Sequence, residues 1–112
     1  MLKQIFWYET VEGKRPFGEW LLSLKDKNVR HRITIRLDRL IYGNFGDARQ
    51  VGAGVSELRF HFGPGYRVYF GLDGEKIILL LSGGDKSSQG RDIQRAQQYW
   101  MDYLRRNYES GR

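Results

Sequence analysis

The sequence contains no cysteine, which excludes disulfide bonds, thiolate-bound zinc and a thiol nucleophile. Its two histidines, His31 and His61, lie far apart, and no HExxH-like spacing accompanies them, so we expect no metal site and no cofactor. No apolar run approaches the roughly 20 residues of a membrane span, and no signal-peptide pattern opens the chain. These absences favour a cytoplasmic protein with no membrane segment.

What the sequence does contain is a small basic domain. The chain has 112 residues, which predicts a single domain over 1–112, and its hydrophobic fraction of 40% is enough for a packed core. Lysine and arginine outnumber aspartate and glutamate by 19 to 13, giving a formal net charge of +6. Such a domain suits an anionic partner, either a nucleic acid or an acidic protein, and charge alone does not choose between them.

The first half of the chain predicts one strand and two helices. Residues 2–8 are apolar and aromatic, and we expect a strand paired inside a sheet. Pro16 suits the first turn of a short amphipathic helix over residues 16–25. Asp26 or Asn28 would cap a second helix, which ends near Gly43. Its apolar stripe is Val29, Ile33, Leu37, Leu40 and Ile41.

The segment 44–54 is rich in glycine and includes Arg49. Loops of this length in small domains are often functional or mobile. We interpret this segment as a long surface loop that leads into the next strand, and a plain connector remains an alternative.

The central stretch of the chain is the hairpin predicted over residues 55–70. Aromatic runs flank Gly63-Pro64-Gly65, the expected turn. If Phe62 lies opposite Tyr66, the apolar side chains share one face of the sheet. The other face then collects Arg59, His61, Arg67 and Tyr69. That cationic, aromatic surface suits a phosphate and a stacked base, and an ordinary solvated sheet face is the alternative.

After a tight turn at Asp73-Gly74, residues 76–82 form a continuous apolar run, as in a strand buried on both faces. Lys86 follows two glycines at the end of this strand, and a long amphipathic helix is predicted from about Gln89 to the Tyr108 region. The predicted fold class is therefore α+β, ordered β-α-α-β-β-β-α, with a small, mainly antiparallel sheet packed by helices. The early helices cover one sheet face, and the last helix covers the other face or leaves it partly open.

Two blocks carry a family resemblance, SELRFHFGPGYRVYF and LLLSGGDKSSQGRDIQRAQQYW. With the segments around the two early helices, they resemble the addiction-module killer proteins. These are toxins of the RelE/ParE superfamily, close in kind to HigB. The resemblance spans about residues 2–104. It implies a RelE-like fold and a type II toxin encoded beside a helix-turn-helix antitoxin. It also implies ribosome-dependent cleavage of mRNA.

The resemblance also assigns roles to residues. Arg67 matches the family's central-strand arginine, and Lys86 matches the basic residue at the end of the last strand. Arg59 matches one of two lysines that RelE carries on the preceding strand, and Glu57 stands near the other. ParE relatives share the fold but inhibit DNA gyrase without cutting RNA, so that activity stays open as an alternative.

The expected reaction is attack of an RNA 2′-hydroxyl on the neighbouring phosphodiester, without a metal. It needs a base, an acid and positive charge on the phosphate. Arg67 and Lys86 are the predicted phosphate clamps, and Arg59 is a second clamp or the acid. His61 and Glu57 are the candidate bases, His61 being chemically better because histidine titrates near neutral pH. The predicted RNA-contacting residues are Glu57, Tyr69 and Arg49.

The expected partners are mRNA on the ribosome and the antitoxin. The second helix carries an arginine-rich face, and the last helix carries Trp100 and Tyr108 on its apolar stripe. We expect an acidic antitoxin surface to bind partly through these two helices.

Overall fold

Over residues 2–109, which the computed structural model describes, five strands form one mixed sheet and three helices pack against it. The elements are β1 (Gln4–Trp7), α1 (Pro16–Ser23), α2 (Lys27–Leu40), β2 (Ala48–Gly52), β3 (Val55–Arg59), β4 (Arg67–Asp73), β5 (Ile77–Gly84) and α3 (Gln89–Glu109). A single 3-10 turn, Lys86–Ser88, precedes α3. The predicted α+β class is confirmed. Among the described helices, none has the length and apolar composition needed to cross a bilayer.

The strand order is β1-β5-β4-β3-β2. β1 runs parallel to β5, and the three other pairings are antiparallel, so the sheet is mainly antiparallel as expected. β1 lies at an edge, which contradicts its predicted place inside the sheet. β1 pairs with β5 alone, because the other side of β5 pairs with β4. At this edge Phe6 and Trp7 are about half exposed.

The glycine-rich segment 44–54 is not one loop, because it contains β2. Arg49 of β2 lies opposite Glu57 of β3. Positive φ angles occur at Gly46, Gly52 and Gly54, at the two ends of the strand. The glycines therefore mark turns that flank a strand. The element order becomes β-α-α-β-β-β-β-α, with one more strand than predicted.

The β3–β4 hairpin is confirmed, but its predicted register is wrong by two residues. Arg59 lies opposite Arg67, and the Phe60 amide donates to the Tyr66 carbonyl oxygen. The connecting loop is therefore wider than the expected three residues. Since the error is an even number of residues, each side chain keeps its predicted face of the sheet.

Hydrophobic side chains fill the space on both sides of the sheet. Against α1 and α2 the buried residues are Phe17, Ile33, Leu37, Leu40, Leu58, Phe60, Val68, Phe70, Ile78 and Leu80. Against α3 they are Tyr8, Val55, Tyr69, Leu79, Leu81, Ala96 and Trp100. β5 supplies residues to both sets, which confirms a strand buried on both faces. Because α3 covers its own face, that face is not the open surface that we considered from the sequence.

The helix boundaries agree with the sequence signals. Pro16 begins α1. The Asp26 carboxylate accepts a hydrogen bond from the Asn28 amide at the start of α2, and Gly43 ends the following turn with φ +81°. Tyr108 is 67% exposed, whereas Trp100 is 5% exposed and lies in the core. Trp100 is therefore buried beneath the helix, whereas Tyr108 is accessible from solvent.

Close contact between α3 and β4 generates a stability prediction. A Cβ atom added to Gly71 would lie 2.3 Å from Cε3 of the buried Trp100. We expect Gly71→Ala to lower the free energy of unfolding by about 1–3 kcal/mol, because the indole must move. Urea denaturation measures the change.

Gly90→Ala is the matched control, because a Cβ at Gly90 would meet no atom within 4 Å and neither glycine has a positive φ. Alanine is the better helix former, so this variant should be as stable as the parent or more stable. Equal losses in the two variants would contradict the packing explanation.

Candidate functional site

Three adjacent strands contribute one arginine each to the end of the sheet near the start of α3. Arg59 and Arg67 are directly paired across β3 and β4, and Arg49 lies on β2 opposite Glu57. Because side chains alternate along a strand, Arg59 and Arg67 share the α3 face with the buried Val55 and Tyr69. We call Arg49, Arg59 and Arg67 the arginine row. The sheet register brings together three of the predicted site residues.

The carboxylate of Glu57 lies within this row and has no exposed surface. It accepts a hydrogen bond from Arg49 Nε at 3.2 Å and one from Gln89 Nε2 at 2.8 Å. Arg67 Nη1 forms an ion pair with it at 3.5 Å. A buried carboxylate needs such compensation. Since Gln89 is the first residue of α3, Glu57 also fixes the helix start against the sheet.

Arg67 keeps binding capacity despite this ion pair. Its side chain is 12% exposed, and its Nε is buried without a hydrogen-bond partner among the described residues. A buried donor without a partner is unfavourable, and most such groups in proteins bind an oxygen atom of the protein, water or a ligand. The part of the guanidinium that stays exposed, and not the buried Nε, is what an entering oxyanion could reach.

A second carboxylate, Asp47, joins Arg59 to His61. Arg59 donates to Asp47 Oδ1 from Nη2 at 2.8 Å and from Nε at 3.2 Å, while His61 Nε2 contacts Asp47 Oδ2. The hydrogen bonds from Arg59 and then from His61 lower the pKa of Asp47 to about 2. The His61 side chain is 71% exposed, so its imidazole is held in place and still reaches solvent.

Asp47 is a residue that the sequence interpretation missed. It lies just before β2, inside the segment that we expected to be a loop. Residues Ala48 to Val51 do not alternate between apolar and polar, so no local strand signal was available there. A strand at this place would have put Asp47 beside Arg59.

Lys86 lies at the same end of the sheet. Arg67 pairs with Gly84, two residues before Lys86, and the Lys86 amide donates to the Pro64 carbonyl oxygen at 3.4 Å. The Lys86 side chain is exposed. The structure thus places one predicted phosphate clamp, Arg67, at the start of β4 and the other, Lys86, just after the end of the neighbouring β5.

Two predicted RNA contacts disagree with the structure. The side chains of Tyr69 and Glu57 each have 0% exposed surface. The Tyr69 ring packs beneath α3, so it offers no face to a base, and burial together with the Glu57 charge raises the pKa of its hydroxyl. Glu57 cannot meet RNA as a base while it is enclosed by its partners. Arg49, whose side chain is 53% exposed, remains accessible.

A groove of about 350 Å³ adjoins the row on the α2 side. Its walls include Arg32, Arg36 and Arg39, with His61 at its border. Arg32 lies 3.6 Å from the ring centroid of Phe62, and Arg36 lies 4.7 Å from that of Phe60. We call this the basic groove. The three arginines border a floor formed by Phe60 and Phe62. His61 lies between the groove and the arginine row.

No protein-family model matches this chain. The chain is similar to a protein of Haemophilus influenzae (strain ATCC 51907 / DSM 11121 / KW20 / Rd) described as an uncharacterized protein. The two are 45% identical over 80 residues, which cover 71% of this chain and 81% of the relative. The chain therefore belongs to the same family as that protein.

The burial of Glu57 generates a second stability prediction. Glu57→Gln removes the charge that compensates Arg67, and breaking a buried ion pair commonly costs about 3–5 kcal/mol. We expect a loss near the lower end of that range by urea denaturation, because Arg67 keeps slight exposure.

Arg49→Gln is the comparison, because it removes the exposed partner of the same carboxylate. That loss should stay below about 1 kcal/mol, as for most surface ion pairs. A loss for Glu57→Gln as small as that for Arg49→Gln would show that Glu57 is not the anchor of this site.

The pKa of Asp47 sets a prediction for acid conditions. Because this pKa is lowered to about 2 in the folded protein, against about 4 when unfolded, the carboxylate stabilises the fold fully above pH 4. That contribution is lost as the pH falls towards 2. Thermal melts from pH 2 to 6 should show Asp47→Asn less stable at pH 6, with the difference shrinking at low pH. A difference that grows on acidification would contradict this assignment.

Proposed function

We propose that this family member is the toxin of a type II toxin–antitoxin pair, with a RelE-like fold, and that it cleaves mRNA on the ribosome. The observation that carries the proposal is the arginine row with His61 held beside it by Asp47. A row of guanidinium groups on a rigid sheet suits a phosphodiester, and an accessible imidazole suits proton transfer at neutral pH.

The row fits transesterification within the RNA chain. Arg67, Arg59 and Lys86 hold the non-bridging phosphate oxygens and stabilise the charge of the transition state. His61 takes the proton of the 2′-hydroxyl as its oxygen bonds to phosphorus. The bond from phosphorus to the 5′-oxygen breaks, and that oxygen takes a proton from solvent. The products are a 2′,3′-cyclic phosphate and a 5′-hydroxyl.

Dependence on the ribosome follows from the charges around the row. Glu57 accepts contacts from Arg49 and Arg67, and Asp47 accepts contacts from Arg59, which weakens the attraction of the row for free RNA. Orientation of the message by the ribosome would supply the alignment that the protein lacks, and alignment accounts for much of many rate enhancements. We therefore expect translated message to be cut much faster than free RNA.

The basic groove suits the antitoxin. An acidic amphipathic segment would place carboxylates on Arg32 and Arg39 and apolar side chains against the floor beside Phe62. Such a segment would also cover His61 at the border of the groove. Inhibition would thus arise from direct obstruction of the proposed base.

A non-nucleolytic, ParE-like inhibitor of DNA gyrase is the second candidate. The observation in its favour is that Glu57 and Asp47 neutralise part of the positive charge of the row, since a gyrase inhibitor needs no free phosphate clamp.

One experiment distinguishes mRNA cleavage from gyrase inhibition. Purified ribosomes translating a defined mRNA are incubated with the protein, and primer extension detects new 5′ ends. A parallel reaction measures supercoiling by gyrase. New ends with normal supercoiling support cleavage, and intact message with inhibited gyrase contradicts it.

Substitution of Arg67 gives a further prediction. Arg67→Lys keeps a positive charge beside Glu57 but loses the paired N–H donors of the guanidinium. We expect folding and antitoxin binding to persist while cleavage of translated message falls by about 10²-fold, as for loss of one preorganised donor. Alanine is a poorer choice, because it removes charge compensation from Glu57.

Arg105→Lys is the matched control, because Arg105 is an exposed arginine of α3 paired with Asp102. Cleavage should stay at the parental rate in this variant. Full activity of Arg67→Lys would exclude a phosphate-binding fork at this position, provided that thermal melts show both variants folded.

A further inference from the structure

A second cavity lies where β1 and β5 end. These strands are parallel neighbours. The chain leaves β1 for α1, which packs on one face of the sheet, and leaves β5 for α3, which packs on the other. Two adjacent parallel strands whose connections diverge in this way leave a crevice at their carboxyl ends, and ligands of open sheets commonly bind there.

The resulting cleft has a volume of about 640 Å³, within the usual range for small-molecule sites. Backbone of Gly83 and Gly84 contributes to its lining, and the first turns of α1 and α3 border it. Gly84 pairs with Arg67, so the cleft begins one strand away from the arginine row. It is therefore next to the proposed cleavage site and separate from it.

A buried hydroxyl indicates that the cleft takes a polar ligand. Ser82 lines the cleft and is 6% exposed, yet its Oγ has no hydrogen-bond partner among the described residues. Buried hydroxyls in proteins are usually paired with protein, water or ligand atoms. An oxygen-rich group in the cleft would satisfy it.

Three cations and three carboxylates line the cleft, and the cations are the groups that could hold an anion. Lys14, Arg91 and Arg95 line it, are exposed and form no ion pair with any described residue. Among the three cleft carboxylates, Asp85 accepts a hydrogen bond from Ser87 and Asp92 accepts one from Ser88, and neither donor cancels the charge of a carboxylate. The third, Glu19, is exposed on α1 and can accept hydrogen bonds from sugar hydroxyls. Trp20 and Tyr99 add aromatic surface.

We propose that this cleft binds a nucleotide. Arg91, Arg95 and Lys14 hold the phosphate near the start of α3, with the Ser82 hydroxyl as an additional partner. The base lies against the aromatic surface of Trp20 and Tyr99. The inference rests on the proposed function in one respect, namely that the nucleotide is the RNA unit next to the one cut at the arginine row.

Titration of ¹⁵N-labelled protein tests the site without cleavage. The probes are adenosine 5′-monophosphate, inorganic phosphate and a 2′-deoxy oligonucleotide that cannot undergo transesterification. We expect saturable shifts at the amides of Gly83 and Gly84 and at the Trp20 indole, with the mononucleotide more effective than phosphate. Tighter binding of the oligonucleotide identifies the RNA chain as the source, and equal binding identifies a free nucleotide. Absence of saturable shifts at the cleft overturns the proposal.

Two sets of variants locate the binding. The double variant Arg91→Gln, Arg95→Gln should weaken the affinity for the mononucleotide about tenfold or more, since each substitution removes a charge-assisted contact. Lys25→Gln with Lys27→Gln removes the same net charge outside the cleft and should leave binding unchanged. Equal weakening in both pairs would show that net charge alone attracts the nucleotide, which contradicts the site.

Ser82→Ala separates a ligand role from a structural one. Removing a buried hydroxyl without a partner should not lower Tm, because its burial costs free energy. Nucleotide binding should nevertheless fall several-fold. A lower Tm with unchanged binding would overturn the role of Ser82. If translated message is cleaved at the parental rate but the cleft binds no nucleotide, only the nucleotide site is excluded. If the cleft binds nucleotide but the protein cleaves no message, only the proposed function is excluded.

Discussion

The buried carboxylate of Glu57 is the interaction on which the rest of this site depends. It has no exposed surface and meets side chains from β2, β4 and α3. A charge at that depth is tolerated because its partners are cations and a hydrogen-bond donor. The cations that compensate it are also the groups that would hold a phosphate. One carboxylate therefore holds the start of α3 by Gln89, contacts Arg67 and reduces the net charge of the arginine row.

Much of the architecture could be predicted from local sequence patterns, for identifiable reasons. Pro16 and Asp26 have strong positional preferences, and the run from Ile77 to Leu81 admits few interpretations other than a central strand. The alternation of side chains along the hairpin strands predicted correctly which side chains share a face of the sheet, even though the register was displaced by two residues. The displacement arose because Phe60, and not Phe62, lies opposite Tyr66, so that the loop spans residues 61–65.

The site was harder to predict because burial depends on the whole fold. Alternation put Tyr69 and Arg67 on the same face, but only the placement of α3 decides that Tyr69 is covered and Arg67 is partly accessible. Asp47 was missed because four glycines in residues 43–54 concealed a strand of five residues. Gln89 and Asp47 act through contacts between residues distant in sequence, which no local pattern reports.

If the arginine row promotes attack by a 2′-hydroxyl, the chemical ends of the RNA fragments will show it. Message cleaved during translation would be isolated and treated with polynucleotide kinase and labelled ATP, with and without prior phosphatase. We expect 3′ fragments that accept label without phosphatase, because they begin with a 5′-hydroxyl, and 5′ fragments that end in a cyclic phosphate. Fragments that accept label only after phosphatase would carry 5′-phosphates and would contradict the proposed chemistry.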